Sequence, residues 1–393
     1  MNQDVIYLLL IFALLVIPRA MQRFSVPAPL TCLGFGIGAV LWLGGHAHDP
    51  VVDVLAILGI SSLFLFAGLD VDIAQLRKGL GPLLLYLLIR SAALVVVAWL
   101  AWHYGHLPWE AAGLLALALL TPSTGFIMDS LPQLGLTGEE EFWVINKAIA
   151  GELFALVMMF VVMQADDPMH LGMSSLVLVA MLVGLPLLFI GLGRWVVPHA
   201  PGSEFSLLVM VGMLAAYITY WLGVSYLVGA FIAGLVARRL QRGMPLLASH
   251  DNLHALRLFS SFFVPFYFFN AGTEVPGDAL SLEALGWGVV ITLVVLPLRL
   301  AGIILQRRLI FDESLRSSMR VALALSPTLI FTLVLAAVLR EQFGVSAVLY
   351  GALLFYAAVT TLLPSLVFRS AMPVDPLQNE RSDDEADAPR GKG

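Results

Sequence analysis

Four ionisable residues lie inside strongly apolar segments of the chain, where a charge is hard to accommodate. They are Arg90, Lys147, Glu152 and Arg299. An ionisable side chain at the centre of a bilayer is unfavourable by about 3 kcal/mol or more, so each is a candidate functional residue. Glu152 is the one acid of the four. Because burial favours a neutral carboxyl group and a nearby cation favours the carboxylate, such a residue can hold a proton and a cation in turn.

Two proline motifs, Thr121-Pro122-Ser123 and Ser326-Pro327-Thr328, place hydroxyl groups in two further apolar segments. Proline lacks a backbone N–H and displaces the carbonyl group four residues earlier, so both segments are predicted to be broken helices; a simple proline kink is the alternative. Hydroxyl, carbonyl and carboxylate oxygens are the ligands that a hard cation prefers. The sequence therefore predicts a transient alkali-cation and proton site formed by Glu152, Thr121, Ser123, Ser326 and Thr328.

The three buried basic residues have separate predicted roles. Arg299 and Arg90 each lie in the middle of an apolar segment, and either is a candidate counter-ion for Glu152; structural pairing is the alternative for all three residues. Lys147 lies five residues before Glu152, a separation that turns it away from the glutamate on a helix. Its long side chain can extend toward the nearer membrane surface. A direct role and a structural role are both open for Lys147.

The composition indicates an integral membrane protein. Hydrophobic residues make up 60% of the 393 residues and charged residues 12%, with a mean hydropathy of +0.92, whereas soluble domains contain about 25% charged residues. The single cysteine, Cys32, excludes a disulfide framework and a cysteine-based zinc site. The net charge of −6 comes with no basic patch for nucleic acid. No cofactor is predicted. The apolar segments contain no nucleophile–base pair, so the sequence does not predict an enzyme.

Continuous apolar runs of about 20 residues predict an all-α polytopic membrane protein, because a helix of that length crosses a bilayer. The first run lacks the basic segment and the cleavage site of a signal peptide, which favours a retained helix. We predict thirteen transmembrane helices, over residues 5–18, 28–45, 51–69, 80–102, 110–130, 141–163, 171–193, 205–222, 224–238, 255–273, 284–306, 317–339 and 344–368.

The basic residues of the connecting loops give an orientation, since cytoplasmic loops are enriched in Lys and Arg. Loops after even-numbered helices carry Arg340 alone. Loops after odd-numbered helices carry Arg19, Arg23, Arg77, Lys78, Arg194, Arg238, Arg239, Arg242, Arg307, Arg308 and Arg316. This asymmetry predicts an N-terminus outside the cell (inner) membrane and a cytoplasmic C-terminus. Residues 1–370 then form the transmembrane domain, and the acidic residues 371–393 a disordered cytoplasmic tail.

The chain also contains an internal repeat. Ala67–Val71 and Ala271–Val275 have related sequences 204 residues apart, and the two proline motifs are 205 residues apart. Two matches in the same order at one spacing are unlikely to be accidental. An offset of seven helices is odd, so the two copies run through the bilayer in opposite directions. Inverted-topology repeats of this kind are typical of secondary transporters.

Several segments resemble the monovalent cation:proton antiporter superfamily, in its cation:proton antiporter-2 branch, which has the sodium/hydrogen exchanger fold. Residues 64–72 (FLFAGLDVD) are similar to the family segment FLFLAGLELD, and residues 223–235 (GVSYLVGAFIAGL) to GLSPALGAFLAGL. Phe266 to Glu274 and Leu325 to Pro327 resemble two further family segments. The resemblance covers about residues 5–370 and implies a homodimer with a scaffold domain, a mobile core domain and two crossed broken helices. It also places Arg299 at the position of a basic residue in the eleventh helix.

The resemblance implies exchange of Na⁺ or K⁺ for H⁺ by a transporter that is not an enzyme. The family usually carries Asp-Asp, Asn-Asp or Gln-Asp where this chain has Gly151-Glu152, and often Asp at the position of Pro122. A single carboxylate visited alternately by a proton and a cation predicts electroneutral exchange. Two alternatives remain open: a channel-like or regulatory membrane module without coupled exchange, and an exchanger of another solute on the same fold.

Overall fold

A computed structural model describes residues 3–43, 49–164, 168–200, 202–222, 225–240 and 249–368. The predicted acidic tail lies outside the described residues. Within them the chain forms sixteen α-helices and no strand. The helices are α1 (Gln3–Gln22), α2 (Ala28–Leu43), α3 (Pro50–Leu69), α4 (Ile73–Lys78), α5 (Leu80–Gly105), α6 (Trp109–Leu120), α7 (Thr124–Ser130), α8 (Gly138–Gln164), α9 (Pro168–Trp195), α10 (Glu204–Trp221), α11 (Tyr226–Leu240), α12 (His250–Thr273), α13 (Leu282–Phe311), α14 (Leu315–Ala324), α15 (Leu329–Phe343) and α16 (Ala347–Val367).

Each of the thirteen predicted transmembrane segments falls on one helix or on one pair of helices. The fifth segment is the pair α6 and α7, the twelfth is the pair α14 and α15, and the short helix α4 lies between the third and fourth segments. The all-α fold is therefore confirmed. By length and composition, eight segments of the described part can cross a membrane, with Trp109–Met128 of α6 and α7 counted as one, or nine if the bent pair α14 and α15 also counts as one. Thirteen crossings remain a prediction.

The helices pack into two bundles. Helices α1 to α3 and α10 to α12 form one bundle, here called the scaffold, and α5 to α8 with α13 to α16 form the other, here called the core. Helix α9 contacts α8 of the core and α10 and α11 of the scaffold. The division agrees with the two domains that the family resemblance implies.

Close helix contacts inside the scaffold depend on glycine. A Cβ atom at Gly68 of α3 would lie 2.2 Å from the Phe231 carbonyl oxygen of α11, and one at Gly272 of α12 would lie 2.3 Å from the Leu33 carbonyl oxygen of α2. Neither distance is compatible with a side chain. In lipid, where helices gain little hydrophobic energy by associating, small residues allow the close packing that holds them together. These contacts make the scaffold a tightly packed unit.

The contact between the bundles is centred on α3. The Phe64 ring lies 6.0 Å from the Phe331 ring of α15, measured between centroids. A Cβ atom at Gly125 of α7 would lie 3.0 Å from Leu63 Cδ1. The absence of a side chain at Gly125 therefore lets the core approach the scaffold closely, next to the first predicted helix break.

Candidate ion-binding site

Both proline motifs interrupt their helices, as the sequence predicts. Helix α6 ends at Leu120 and α7 begins at Thr124, and helix α14 ends at Ala324 and α15 begins at Leu329. The axes of α14 and α15 differ by 46°. Three residues at the first motif and four at the second lie outside the helices, which favours broken helices over simple kinks.

The two breaks cross and bind each other. The backbone N–H of Ser123 donates to the Pro327 carbonyl oxygen at 2.8 Å, and the backbone N–H of Ile330 donates to Ser123 Oγ at 3.0 Å. Ser123 is thus the link between the breaks rather than an uncommitted ligand. The predicted pair of crossed, proline-broken helices is present.

The carbonyl groups that the first break frees are bound by side chains of the second repeat. Pro122 has no N–H for the carbonyl oxygen of Ala118, four residues earlier, and that oxygen accepts a hydrogen bond from Thr332 Oγ1 at 2.8 Å. The next carbonyl oxygen, that of Leu119, accepts a hydrogen bond from the Tyr356 hydroxyl at 2.7 Å. Buried carbonyl groups in a membrane need such partners, so the two repeats stabilise one another.

The polar groups of the second break are occupied within the core. Ser326 Oγ donates to the Thr360 carbonyl oxygen at 3.0 Å, and the hydroxyls of Thr328 and Thr360 are 3.1 Å apart. Arg299 donates to the Ser326 carbonyl oxygen at 3.1 Å, to the Leu325 carbonyl oxygen at 3.2 Å and to the Tyr356 hydroxyl at 2.9 Å. The positive charge of Arg299 therefore lies at the C-terminal end of α14, where a cation is favourable.

The first break carries buried hydroxyl groups, and one of them, that of Thr124, lies beside Glu152. Glu152 is 3% exposed and lies halfway along α8, beside Thr124 and within electrostatic range of Arg90. Glu152 Oε2, Thr121 Oγ1 and Thr124 Oγ1 are buried and lack a hydrogen bond of regular geometry within the described residues, although Thr124 lies close enough to Glu152 for its hydroxyl and its backbone N–H to stabilise the carboxylate. A carboxylate and two hydroxyls without partners are a suitable start for a cation shell, because each retains lone pairs for a ligand.

Arg90 occupies the space beside Gly151. A Cβ atom at Gly151 would lie 2.6 Å from Arg90 Nη1, and Nη1 donates to the Tyr86 hydroxyl at 3.0 Å. The Nε and Nη2 atoms of Arg90 have no hydrogen-bond partner in the described part. A fixed positive charge therefore lies where the related motifs place a second polar side chain. Of the two predicted counter-ions of Glu152, Arg90 has the suitable position, since Arg299 is bound at the second break.

Lys147 is not directed to the membrane surface. It is fully buried, and its Nζ donates to Gln306 Oε1 at 2.8 Å while lying 5.4 Å from the centre of the Tyr86 ring. The Arg307–Glu313 ion pair lies nearby. The possibility that Lys147 extends to the membrane surface is wrong, because the side chain is fully buried and Gln306 provides an internal acceptor.

Sequence reasoning missed Thr124, Thr332, Tyr356 and Thr360. Thr124 directly follows the first proline motif, so its position was a usable signal. Tyr356 and Thr360 are spaced four residues apart in the apolar helix α16, which places them on one face. Thr332, four residues after Thr328, has a similar relation to the second motif. The partners of Thr332, Tyr356 and Thr360 lie more than 30 residues away along the chain, so spacing alone did not reveal these contacts.

Two interlocked broken helices from inverted repeats, beside one buried carboxylate, define a secondary transporter. The chain belongs to the transmembrane sodium/hydrogen exchanger family, which matches residues 8–372. This confirms the family resemblance and the prediction of a membrane transporter rather than an enzyme. A Na(+)/H(+) antiporter of Enterococcus hirae is 23% identical over 297 residues, which are 72% of this chain and 75% of that protein.

Two solved structures have the same fold. A structure of the sodium proton antiporter MjNhaP1 from Methanocaldococcus jannaschii at pH 8 aligns with a TM-score of 0.67 and 13% identity, over 92% of this chain and 94% of that one. A structure of the same antiporter from electron microscopy aligns with a TM-score of 0.65 and 14% identity over all of both chains. At this identity the likeness concerns the fold, with its inverted repeats.

Proposed function

We propose that this protein exchanges a monovalent cation, Na⁺ or K⁺, for H⁺ by alternating access. The observation that carries the proposal is the buried Glu152 carboxylate, which lies beside Thr124 at the first helix break, where the buried hydroxyl of Thr121 also lacks a hydrogen-bond partner in the described residues. A hard cation needs several oxygen ligands, and the first helix break supplies them at one point. The proton binds to the same carboxylate when the cation has left.

The remaining predicted ligands have a different role in this proposal. Ser123, Ser326 and Thr328 already bind groups of the opposite break or of α16. They hold the crossing in place, and Pro122 and Pro327 create the breaks. The cation shell then consists of Glu152, Thr121 and Thr124, completed by water or by a carbonyl group that turns inward on binding.

Arg90 sets the charge balance of the proposed site. Its guanidinium group keeps one positive charge beside Glu152 in both states of the cycle, because an arginine remains protonated. Gly151 offers no second acid. One carboxylate that binds either one proton or one cation moves no net charge, so the proposed exchange is electroneutral.

The two bundles suit a movement of the core against the scaffold. Glu152 and both breaks belong to the core, while the facing surface of α3 belongs to the scaffold. A shift of the core carries the site from one membrane face to the other without dismantling it. We also propose, from the family, that the protein is a homodimer with its N-terminus outside and its C-terminus in the cytoplasm.

Arg299 and Lys147 do not favour exchange of an anion, and the charge of the third buried basic residue, Arg90, is offset by Glu152. Arg299 is bound to two carbonyl oxygens and a hydroxyl, and Lys147 to Gln306. An anion at either position would have to displace these partners. Of the two alternatives, exchange of another solute therefore has the weaker support. The experiment must distinguish cation:proton antiport from a channel-like module.

The test uses purified protein in sealed vesicles with an imposed pH gradient. Addition of NaCl or KCl is expected to dissipate the gradient, and a salt of a large organic cation is expected to leave it unchanged. The apparent affinity for the cation is expected to fall as the pH falls, because protons compete for Glu152. Dissipation that follows the anion, or an ion conductance without a pH gradient, would contradict antiport.

A further inference from the structure

Arg340 is the exception to the charge asymmetry of the loops, and it bridges the two bundles. It lies in the last turn of α15, in the core. Its Nη1 atom donates to the carbonyl oxygen of Glu274 at 2.9 Å, and Glu274 is the C-cap residue that directly follows α12, in the scaffold. The hydrogen bond thus joins the C-terminal ends of two helices that belong to different bundles.

The surroundings of Arg340 fix it on the core side. Its guanidinium group lies 5.8 Å from the centre of the Tyr350 ring of α16, and Tyr350 is only 3% exposed. The C-terminal ends of α12 and α15 both carry partial negative charge, which favours a cation between them. The side chain of Arg340 therefore packs on the core, and its hydrogen bond to Glu274 connects it to the scaffold.

We propose that Arg340 is a positioning residue that holds the bundles together at the membrane face where α12 and α15 end. This inference rests on the proposed alternating access: when that face opens, the core moves from the scaffold and the Arg340–Glu274 bond breaks. The bond therefore weights the equilibrium toward the conformation described here. It also gives a reason for a basic residue on the face that the sequence predicts to be outside.

The experiment measures how often that face opens. The single cysteine, Cys32, is buried, so a Cys32→Ala background gives a chain without other thiols. Val275, just beyond α12, is 6% exposed, and a cysteine introduced by Val275→Cys would react with a membrane-impermeant thiol reagent when the face is open. Arg340→Ala is expected to raise the labelling rate about fivefold, which matches the loss of one partly solvated hydrogen bond. Arg340→Lys, which keeps the charge, is expected to lie between Ala and the parent.

Two controls separate this role from general loosening. Arg316→Ala removes an exposed arginine at the far end of the same broken span and is expected to leave labelling at Val275→Cys unchanged. A cysteine from Leu69→Cys, at the buried end of α3, reports on the opposite face, and Arg340→Ala is expected not to accelerate its labelling. Equal labelling of Val275→Cys with and without Arg340, or faster labelling at both faces, would overturn the proposal. Absence of cation:proton exchange in the parent would instead contradict the proposed function, which this labelling does not measure.

Discussion

The break between α6 and α7 and the break between α14 and α15 have nearly the same sequence, but their polar groups are satisfied to different degrees. At the second break, Ser326 and Thr328 bind Thr360, and Arg299 binds the carbonyl oxygens. At the first, the carbonyl oxygens have partners but the hydroxyls of Thr121 and Thr124 have none in the described part of the chain. The polar groups of the second break therefore stabilise the structure, whereas the first break retains hydroxyl groups that are available to a ligand.

The difference arises from what faces each break. Arg299 and Thr360 of α16 lie against the second break and fill its hydrogen-bonding capacity. Glu152 of α8 faces the first break. A charged carboxylate has acceptor atoms but no donor, so it leaves the oxygen lone pairs of the neighbouring hydroxyl groups available for a ligand. Similar motifs therefore acquire different roles from their neighbours, and variants at the two breaks should have different effects.

The largest effect is expected at Glu152. Glu152→Gln keeps the shape of the side chain but cannot exchange a proton or neutralise a cation, so exchange should be abolished while the protein stays folded. Exchange in vesicles and thermal unfolding in detergent test this, with Glu139→Gln in the exposed first turn of α8 as the control. If Glu152 were only a structural partner of Arg90, its loss would lower stability by about 3–5 kcal/mol. A stable variant that still exchanges ions would remove Glu152 from the mechanism.

The second largest effect is expected at Arg299, on stability. Arg299→Leu leaves the carbonyl oxygens of Leu325 and Ser326 without their donor, which should lower the free energy of unfolding by about 3 kcal/mol. Thermal unfolding measures this change. Arg308→Leu, in the exposed last turn of the same helix, should change it by less than about 0.5 kcal/mol. Equal melting temperatures for the two variants would show that the second break does not depend on Arg299.

A pair of hydroxyl deletions tests the comparison directly. Thr121→Ala removes an unpartnered hydroxyl and should weaken the apparent cation affinity about fivefold with little change in stability. Ser326→Ala removes a hydrogen-bonded hydroxyl and should lower the free energy of unfolding by about 1 kcal/mol with unchanged cation affinity. Exchange as a function of Na⁺ concentration and thermal unfolding, measured on both variants, give the answer. The opposite pattern would place the cation at the second break.

The smallest effect is expected from the membrane potential, which should not change the rate of exchange. One carboxylate that carries either H⁺ or Na⁺ moves no net charge, whereas each uncompensated charge moved through 100 mV is worth about 2.3 kcal/mol. Exchange is measured in vesicles held at zero and at about −100 mV with a potassium gradient and valinomycin, with Na⁺ as the test cation. A rate that changes with voltage would mean that a second group titrates, and Lys147 is the group to examine.

The sequence by itself determined the membrane class, the helices and the two breaks. Apolar runs of bilayer length fix the helices because each backbone polar group in lipid must be satisfied within its own segment. Proline fixes the breaks, because it removes a donor whatever surrounds it. Glu152 is also identifiable from the sequence, because a lone acid in an apolar helix is unfavourable wherever it lies.

Only the tertiary structure decided which of these groups remain free. Ser326 and Thr328 look like Thr121 and Ser123 in the sequence, yet Thr360 is their partner and lies more than 30 residues away. The sequence leaves either Arg90 or Arg299 open as the counter-ion of Glu152, and the tertiary structure places Arg90 beside Gly151 and Arg299 at the end of α14. The hydroxyl and carbonyl groups of a break form hydrogen bonds with whichever side chains the helix packing places next to them. The local sequence does not specify that packing.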